Sequence, residues 1–176
     1  MTKTHWLRIA ALALIACFLT VATAALAGSK GRIIEGRKVG PVKLGMTKSQ
    51  VRQRFGKPDE TGEGSWRYVK RQLRIGFGKN NRLSEVIVFK RNFVTRKGIG
   101  IGSRLAAVRR AYPGAKCFFK EGEVPGAPVC ALRSRLNGKR TETYFRFFSR
   151  KQEYEPKARV WEVSLRFGCL SCRKKR

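Results

Sequence analysis

The sequence matches itself at an offset of 57 residues, and this internal repeat constrains the fold more than any other feature. Leu44-Gly45 corresponds to Ile101-Gly102, Val51-Arg52 to Val108-Arg109, and no gap is needed between the two matches. A unit of about 50 residues buries too little surface to be stable alone, whereas about 150 residues bury around 70% of their unfolded surface. We therefore predict two diverged copies that pack as one body.

Each copy begins with a pattern typical of a short amphipathic helix. In the first copy Thr47 and Gln50 fit a capping box, and Gly56 marks the end of the segment. In the second copy Ser103 occupies the cap position, and Pro113-Gly114 ends the segment. Apolar residues at helical spacing lie between these signals in both copies.

After each helix the apolar period changes to two, which indicates strands. The first copy has such runs at 66–69, 73–77 and 83–89, and the second has them at 129–133, 141–148 and 160–167. We predict an α+β fold of two diverged helix-plus-antiparallel-meander repeats, with the helices on one sheet face and the other face exposed. The first repeat spans 40–95 and the second 96–172, with a flexible leader at 28–39 and a basic tail at 173–176.

Residues 1–27 have the organisation of a signal peptide. Lys3 and Arg8 precede an apolar run over residues 9–25, and Ala25-Leu26-Ala27 fits a cleavage site. Two alternatives stay open, because Leu14-Ile15-Ala16-Cys17 resembles a bacterial lipobox and a run of this length reaches the lower limit for a membrane span. We expect cleavage after Ala27 and an exported protein, extracellular or associated with the cell envelope.

The cysteines that follow the signal peptide predict disulfide bonds. They are four in number, at Cys117, Cys130, Cys169 and Cys172. An even number of cysteines in an exported chain is typical of disulfides, and four cysteines allow three pairings. The local pairing, Cys117 with Cys130 and Cys169 with Cys172, is favoured because it closes the shortest loops. A redox dithiol or half a zinc site at Cys169 and Cys172 is the weaker alternative.

The charge and the scarcity of acid–base residues argue against catalysis. The chain has 40 Lys+Arg against 11 Asp+Glu, a formal charge of +29, and its single histidine and single aspartate are His5 and Asp59. Mechanisms that need a histidine base, paired aspartates or a histidine-bound metal therefore lack their residues. We expect a folded, non-enzymatic protein without a metal or another cofactor.

The same charge predicts the kind of partner. Basic residues occur in every segment, so the electrostatic field should attract polymers rich in phosphate or carboxylate. We expect an acidic protein surface or an anionic envelope polymer, and no specific nucleic acid because no recognisable binding motif is present. Membrane contact is expected only through the N-terminal segment, if that segment is retained or lipidated.

The alternating strands of the second copy suggest a binding surface on the polar face of the sheet. Phe145 and Phe147 fit the core, so the residues between and beyond them face the other way. The candidate binding residues are Tyr144, Arg146, Phe148, Arg166, Arg74, Trp66 and Tyr68. A solvated outer face is the alternative for this set, and core packing is the alternative for Trp66 and Tyr68.

Several short motifs of the first copy resemble one family of exported bacterial proteins. They are Leu44-Gly45-Met46-Thr47, Phe55-Gly56-Lys57-Pro58, Trp66, Tyr68 and Val86-Ile87-Val88. In this pattern the chain resembles the BamE-like and β-lactamase-inhibitory-protein-like superfamily, over residues 40–89 and less closely over 98–167. The resemblance implies helices packed on a small antiparallel sheet.

The two branches of that superfamily imply different functions. Tandem copies resemble the inhibitor branch, which implies binding through a concave sheet that bears aromatic residues. The single-domain branch implies a lipoprotein role in outer-membrane assembly. We therefore expect a secreted, inhibitor-like binding protein that acts through the exposed sheet face. The alternative is an envelope-associated assembly or scaffold (lipo)protein held by charge or by an N-terminal anchor.

Overall fold

Strands account for about half of the residues that the computed structural model describes, which are 31–78, 80–119, 128–148 and 157–168. Before the long C-terminal strands the elements are β1 (Gly31–Ile34), β2 (Lys38–Val39), β3 (Val42–Lys43), α1 (Lys48–Phe55), β4 (Glu60–Gly62), β5 (Ser65–Tyr68), β6 (Leu73–Phe77), β7 (Leu83–Val88), β8 (Phe93–Thr95) and α2 (Leu105–Ala111). They are followed by β9 (Lys116–Phe119), β10 (Pro128–Leu136), β11 (Lys139–Phe148) and β12 (Arg159–Phe167).

These strands form two sheets. The larger has eight strands in the order β4-β5-β6-β7-β12-β11-β10-β9, and all its neighbouring strands are antiparallel. The smaller has four strands in the order β3-β2-β1-β8, in which β1 and β8 run parallel. The described residues belong to one compact unit that begins at Gly31.

The predicted α+β fold of helix-plus-meander repeats is wrong, because the structure is mostly β. Its helices in the described chain have only 8 and 7 residues. The strands of the two halves do not remain in separate meanders, since β7 pairs with β12 and joins them into one sheet. Helices of about two turns cannot cover eight strands, and the second sheet covers part of the same face.

The 57-residue offset is visible where each helix begins. Gly45 and Gly102 have positive φ angles of 88° and 90°, which favour glycine. Their amides donate to the carbonyl oxygens of Leu83 and Val160, each at 2.7 Å. The sequence match therefore reflects a shared local geometry at the helix starts.

The two helix caps differ. Thr47 Oγ1 accepts from the Gln50 amide at 3.3 Å and Gln50 Oε1 accepts from the Thr47 amide at 3.0 Å, which confirms the predicted capping box. The predicted cap at Ser103 is wrong, because Arg104 is the N-cap and makes no side-chain cap bond. Ser103 Oγ instead accepts from the Gly100 amide at 3.1 Å and closes the preceding turn.

The predicted flexible leader at 28–39 overlaps ordered strands. Ile33 in β1 and Val39 in β2 are fully buried, and Arg32 lies opposite Val94 of β8. Strands of two to four residues are too short for an apolar period to reveal them.

Some predictions lie outside the described residues: the signal peptide, the lipobox, Cys169, Cys172 and the basic tail. Among the residues that are described, no helix is long and apolar enough to cross a membrane.

Both helices and the small sheet pack on one face of the large sheet, which we call the inner face. Phe55 of α1 meets Tyr68 edge to face with 5.3 Å between ring centroids. Tyr112, which follows α2, stacks on Phe145 at 5.6 Å. The Gly36 amide, between β1 and β2, donates to Thr143 Oγ1 at 2.8 Å.

A disulfide joins Cys117 of β9 to Cys130 of β10. The two residues are directly opposite in the register, with an S–S distance of 2.03 Å. This confirms the predicted pairing for these two cysteines. The bond fixes the edge strand β9 to its neighbour.

We predict that Cys117→Ala/Cys130→Ala lowers the free energy of unfolding by about 3 kcal/mol, because the bond closes a loop of roughly 15 residues in the unfolded chain. Urea denaturation of the oxidised protein and the variant measures the difference. The control compares wild type and variant after reduction of both, which also opens any bond between Cys169 and Cys172, and the two reduced proteins should unfold alike. Equal stability of the oxidised protein and the variant would contradict the prediction.

Tyr112 provides a second prediction, on alkaline stability. Burial, and then a hydrogen bond from its hydroxyl to Glu35 Oε1, raise the pKa of Tyr112 above its usual value. An unfolded tyrosine titrates near pH ~10, so above that pH the unfolded state loses its proton first and the native state loses stability. Tyr112→Phe should flatten this decline. Unfolding free energies between neutral pH and pH ~11 test it, and parallel curves would refute it.

Candidate functional site: the outer face of the large sheet

The face of the eight-stranded sheet opposite the helices, here called the outer face, carries a row of alternating charges. The register aligns Arg133 of β10 with Glu142 of β11, Glu142 with Arg166 of β12, and Arg166 with Glu85 of β7. Arg133 Nε lies 3.5 Å from Glu142 Oε1, and Arg166 Nη1 lies 3.9 Å from Glu85 Oε1. Opposite charges therefore face each other across four strands.

A second pair lies beside this row. Arg146 Nε is 3.2 Å from Glu162 Oε1, and the Tyr144 hydroxyl donates to Glu142 Oε2. Glu142 and Glu162 are only 1% and 5% exposed, so these carboxylates depend on their partners instead of water. We call this network of Arg133, Glu142, Arg166, Glu85, Arg146 and Glu162 the ion-pair ladder.

The ladder changes the interpretation of the predicted basic surface. The whole chain has 11 acidic residues against 40 basic ones, yet Glu85, Glu142 and Glu162 all lie here opposite arginines. Arginine charge at the centre of the outer face is therefore matched locally. The expectation that this sheet face is exposed is wrong at its centre, where Tyr144 and Ser164 are buried as well.

The structure brings most of the predicted binding residues together on the outer face. Along β11, alternation puts Tyr144, Arg146 and Phe148 on the outer face. The register of β12, β7 and β6 puts Arg166 and Arg74 on the same face. Within this group Arg146 and Arg166 are engaged in ion pairs, whereas Phe148 is exposed.

Trp66 and Tyr68 lie on the inner face and belong to the core. Trp66 contacts Phe77 with 4.7 Å between ring centroids, and Arg52 of α1 lies over its ring. The Tyr68 hydroxyl donates to the Gly56 carbonyl oxygen at 3.1 Å, and burial raises the pKa of Tyr68. The alternative considered for both residues, core packing, is the arrangement that the structure has.

Exposed apolar side chains gather at one end of the outer face. The large hydrophobic residues of the described chain that remain exposed are Val69 (51%), Phe89 (37%), Phe148 (65%) and Trp161 (42%). They lie where β5, β7 and β11 end and β12 begins, and the Phe89 and Trp161 rings stack at 6.2 Å. We call these four residues the apolar rim.

Sequence reasoning missed Val69, Phe89 and Trp161 as surface residues. Strict alternation along β12 places Trp161 in the core with Val163. The register instead pairs Arg146 with Glu162 and Phe147 with Val160, so Trp161 is the extra residue of a β-bulge. The only signal in the sequence was the pair of consecutive apolar residues, Val160 and Trp161.

An open groove of about 530 Å³ lies beside the rim. We call it the arginine groove; its lining residues are Glu60, Arg67, Tyr68, Val69, Gln72, Leu73, Arg74 and Phe89. Arg67 and Arg74 are directly opposite on β5 and β6, and Glu60 Oε2 is 3.0 Å from Arg67 Nη1. The lining includes two guanidinium groups and one carboxylate, and the Asp59 carboxylate beside them accepts from the Val69 amide at 2.8 Å. Arg74 has no ion pair among the described residues, so its charge is available to an anion.

The described residues contain no cluster of three or more His, Cys, Asp or Glu side chains able to hold a metal ion. The side chains at this end of the sheet are instead arginines and apolar residues. They can bind a ligand by charge-assisted hydrogen bonds and by apolar contact.

We predict that Glu162→Gln lowers the free energy of unfolding by about 3 kcal/mol, because it removes the buried carboxylate that faces the partly buried Arg146 charge. Glu60→Gln is the matched control, since its pair with Arg67 is exposed and contributes less than about 1 kcal/mol. Chemical denaturation of both variants measures the difference. Equal, small losses would show that the ladder does not stabilise the sheet.

No family model and no curated protein matches the chain. A solved structure, of the uncharacterized protein yfeY from Escherichia coli, is similar with a TM-score of 0.48 and 13% identity, covering 74% of this chain and 97% of that chain. A similarity at this level carries no argument about function.

Proposed function

We propose that this chain is a non-enzymatic binding protein that engages an acidic protein or an anionic envelope polymer. The binding site is the apolar rim together with the arginine groove, at the exposed end of the outer face. One observation carries the proposal: the large apolar side chains exposed on the described chain lie at one end of the outer face, and two of them, Val69 and Phe89, line the groove with Arg67 and Arg74.

The composition of this site is that of a recognition surface. Contiguous exposed apolar groups on a folded protein mark interaction sites, whereas isolated ones need no explanation. Aromatic residues and arginine are also the residues enriched at interfaces. The net charge of +29 would increase the rate of encounter with an anionic partner, and the rim would hold the partner after contact.

The ion-pair ladder explains why the proposal uses the end of the sheet and not its centre. Arg146 and Arg166 already face Glu162 and Glu85, so a partner would have to displace those carboxylates to reach them. In the groove Arg67 is paired with Glu60, and Asp59 at the groove's edge accepts from the Val69 amide at 2.8 Å. Arg74 has no ion pair among the described residues, so an anion that reaches it displaces no carboxylate.

The sequence resemblance supports an inhibitor-like mode of binding, and the signal-peptide pattern supports export. A second candidate function is an envelope-associated assembly or scaffold (lipo)protein, held near the envelope by charge or by its N-terminal segment. The observation that favours it is the wide distribution of the basic residues, which are exposed on α1, on the turns and on the edge strands as well as at the groove.

We predict that Arg67→Gln/Arg74→Gln weakens binding to a polyanion about tenfold or more, since each basic group near an anionic surface contributes about 1 kcal/mol. The ligands are polyglutamate, for an acidic protein surface, and lipopolysaccharide, for an envelope polymer. Titrations use the chain from Gly28 onward, which contains the whole compact unit of described residues.

The matched control is Arg54→Gln/Arg96→Gln, which removes the same charge from exposed residues of α1 and of the segment after β8. It should change the affinity less than about twofold at moderate salt, where charges beyond a Debye length of about 10 Å are screened. Equal losses for the two variants would show that the overall charge binds polyanions without a site, as the scaffold function requires.

A further inference from the structure

We infer that the arginine groove binds an anionic amphiphile. Arg67 and Arg74 would take a phosphate or carboxylate head, and Val69, Phe89 and Trp161 would take the attached apolar chain. The inference rests on the proposed function and names the chemical class that its site recognises. It favours an envelope molecule that carries an alkyl or acyl chain over an acidic protein.

The head site follows from the register of β5 and β6. Arg67 and Arg74 are directly opposite on the outer face, so their Cβ atoms are about 5 Å apart. Like charges in this position repel each other, and both side chains are exposed. Glu60 pairs with Arg67, while Arg74 has no ion pair in the part of the chain that the structure describes. A doubly accepting anion between the two guanidinium groups would remove the repulsion.

The chain site follows from what surrounds the two arginines. Val69 and Phe89 line the same groove, and the stacked Trp161 ring extends the apolar surface beyond it. Phe89 and Trp161 remain more than a third exposed, although both are large apolar residues. An apolar chain lying on them would be removed from water, and each methylene group buried there would increase affinity about fourfold.

The size of the groove favours a small ligand. A volume of about 530 Å³ lies within the range of ~300–1,000 Å³ typical of small-molecule sites. A stable complex with a folded protein needs about 800 Å² from each partner. The exposed apolar residues next to the groove are few, and Tyr144, Glu162 and Ser164 at the centre of the outer face are buried.

The fluorescence of Trp161 gives a direct test. In the chain from Gly28 onward the tryptophans are Trp66, which is buried in the core, and the exposed Trp161. Decyl phosphate is titrated below its micelle concentration, with inorganic phosphate as the head alone and decanol as the chain alone. We expect decyl phosphate to shift the emission to the blue and to bind at least tenfold more tightly than either half. Trp161→Phe should abolish the signal.

The variants separate the two halves of the site. Arg67→Gln/Arg74→Gln should weaken decyl phosphate about tenfold or more and leave decanol unchanged, while Arg54→Gln/Arg96→Gln should change neither by more than about twofold. Phe89→Ala should weaken decyl phosphate and decanol alike. Equal affinity for decyl phosphate and decanol, or for decyl phosphate and inorganic phosphate, would overturn the inference.

Two further arms identify the source of the ligand and keep the two proposals apart. Vesicles that contain phosphatidylglycerol present the head in a bilayer. If these vesicles shift the Trp161 emission to the blue and Arg67→Gln/Arg74→Gln abolishes that shift, the ligand is a lipid headgroup. If only monomeric decyl phosphate shifts the emission, the ligand is a soluble amphiphile. If polyglutamate produces the same shift and displaces decyl phosphate, the partner is an acidic protein and this inference fails while the proposed function stands. If decyl phosphate binds tightly but Arg67→Gln/Arg74→Gln does not weaken polyanion binding, the proposed function is rejected and the amphiphile site remains.

Discussion

The pairing of β7 with β12 is the interaction on which the rest of the structure depends. It aligns Val163 with Val88 and Arg166 with Glu85, and it turns the strands of two chain halves into one sheet. The single sheet has one inner face, which the helices and the small sheet cover. It also places Trp161 of β12 against Phe89, which follows β7. Without this pairing the apolar rim would be divided between two bodies.

Charge is distributed over this framework in two different ways. At the centre of the outer face, arginines and glutamates alternate across the strands, and the buried carboxylates of Glu142 and Glu162 need those arginines. At the end of the face, Arg67 and Arg74 lie side by side, and Arg74 has no ion pair among the described residues. In the first arrangement the arginines and glutamates neutralise each other, and their pairing holds the long strands in register. The second leaves positive charge available beside apolar surface, which is why the proposed function is placed there.

Local patterns predicted local structure well. The Thr47 capping box, the strand at Leu73–Phe77 and the Cys117–Cys130 bond are all present, because each depends on neighbouring residues or on one adjacent strand. The fold class was not predicted, since nothing in the period of β7 or β12 tells which strand lies beside it. The short strands β1, β2 and β8 carry too few residues for a period. In the site, alternation placed Arg146 and Arg166 on the correct face, but the bulge at Trp161 and the partners of the arginines depend on the register.

The edges of the large sheet limit how any other molecule can meet it. One edge is β4, which has only three residues, and the other is β9, which has four and is tied to β10 by the disulfide. Edges this short expose few unpaired backbone groups. At β4 and β9 another extended chain therefore finds little backbone to pair with, and the longer open edge of the described sheet is residues 132–136 of β10, which pair with β11 but not with β9. Edge-to-edge pairing is confined to that segment, and elsewhere the sheet presents side chains, which can change without altering the backbone pairing.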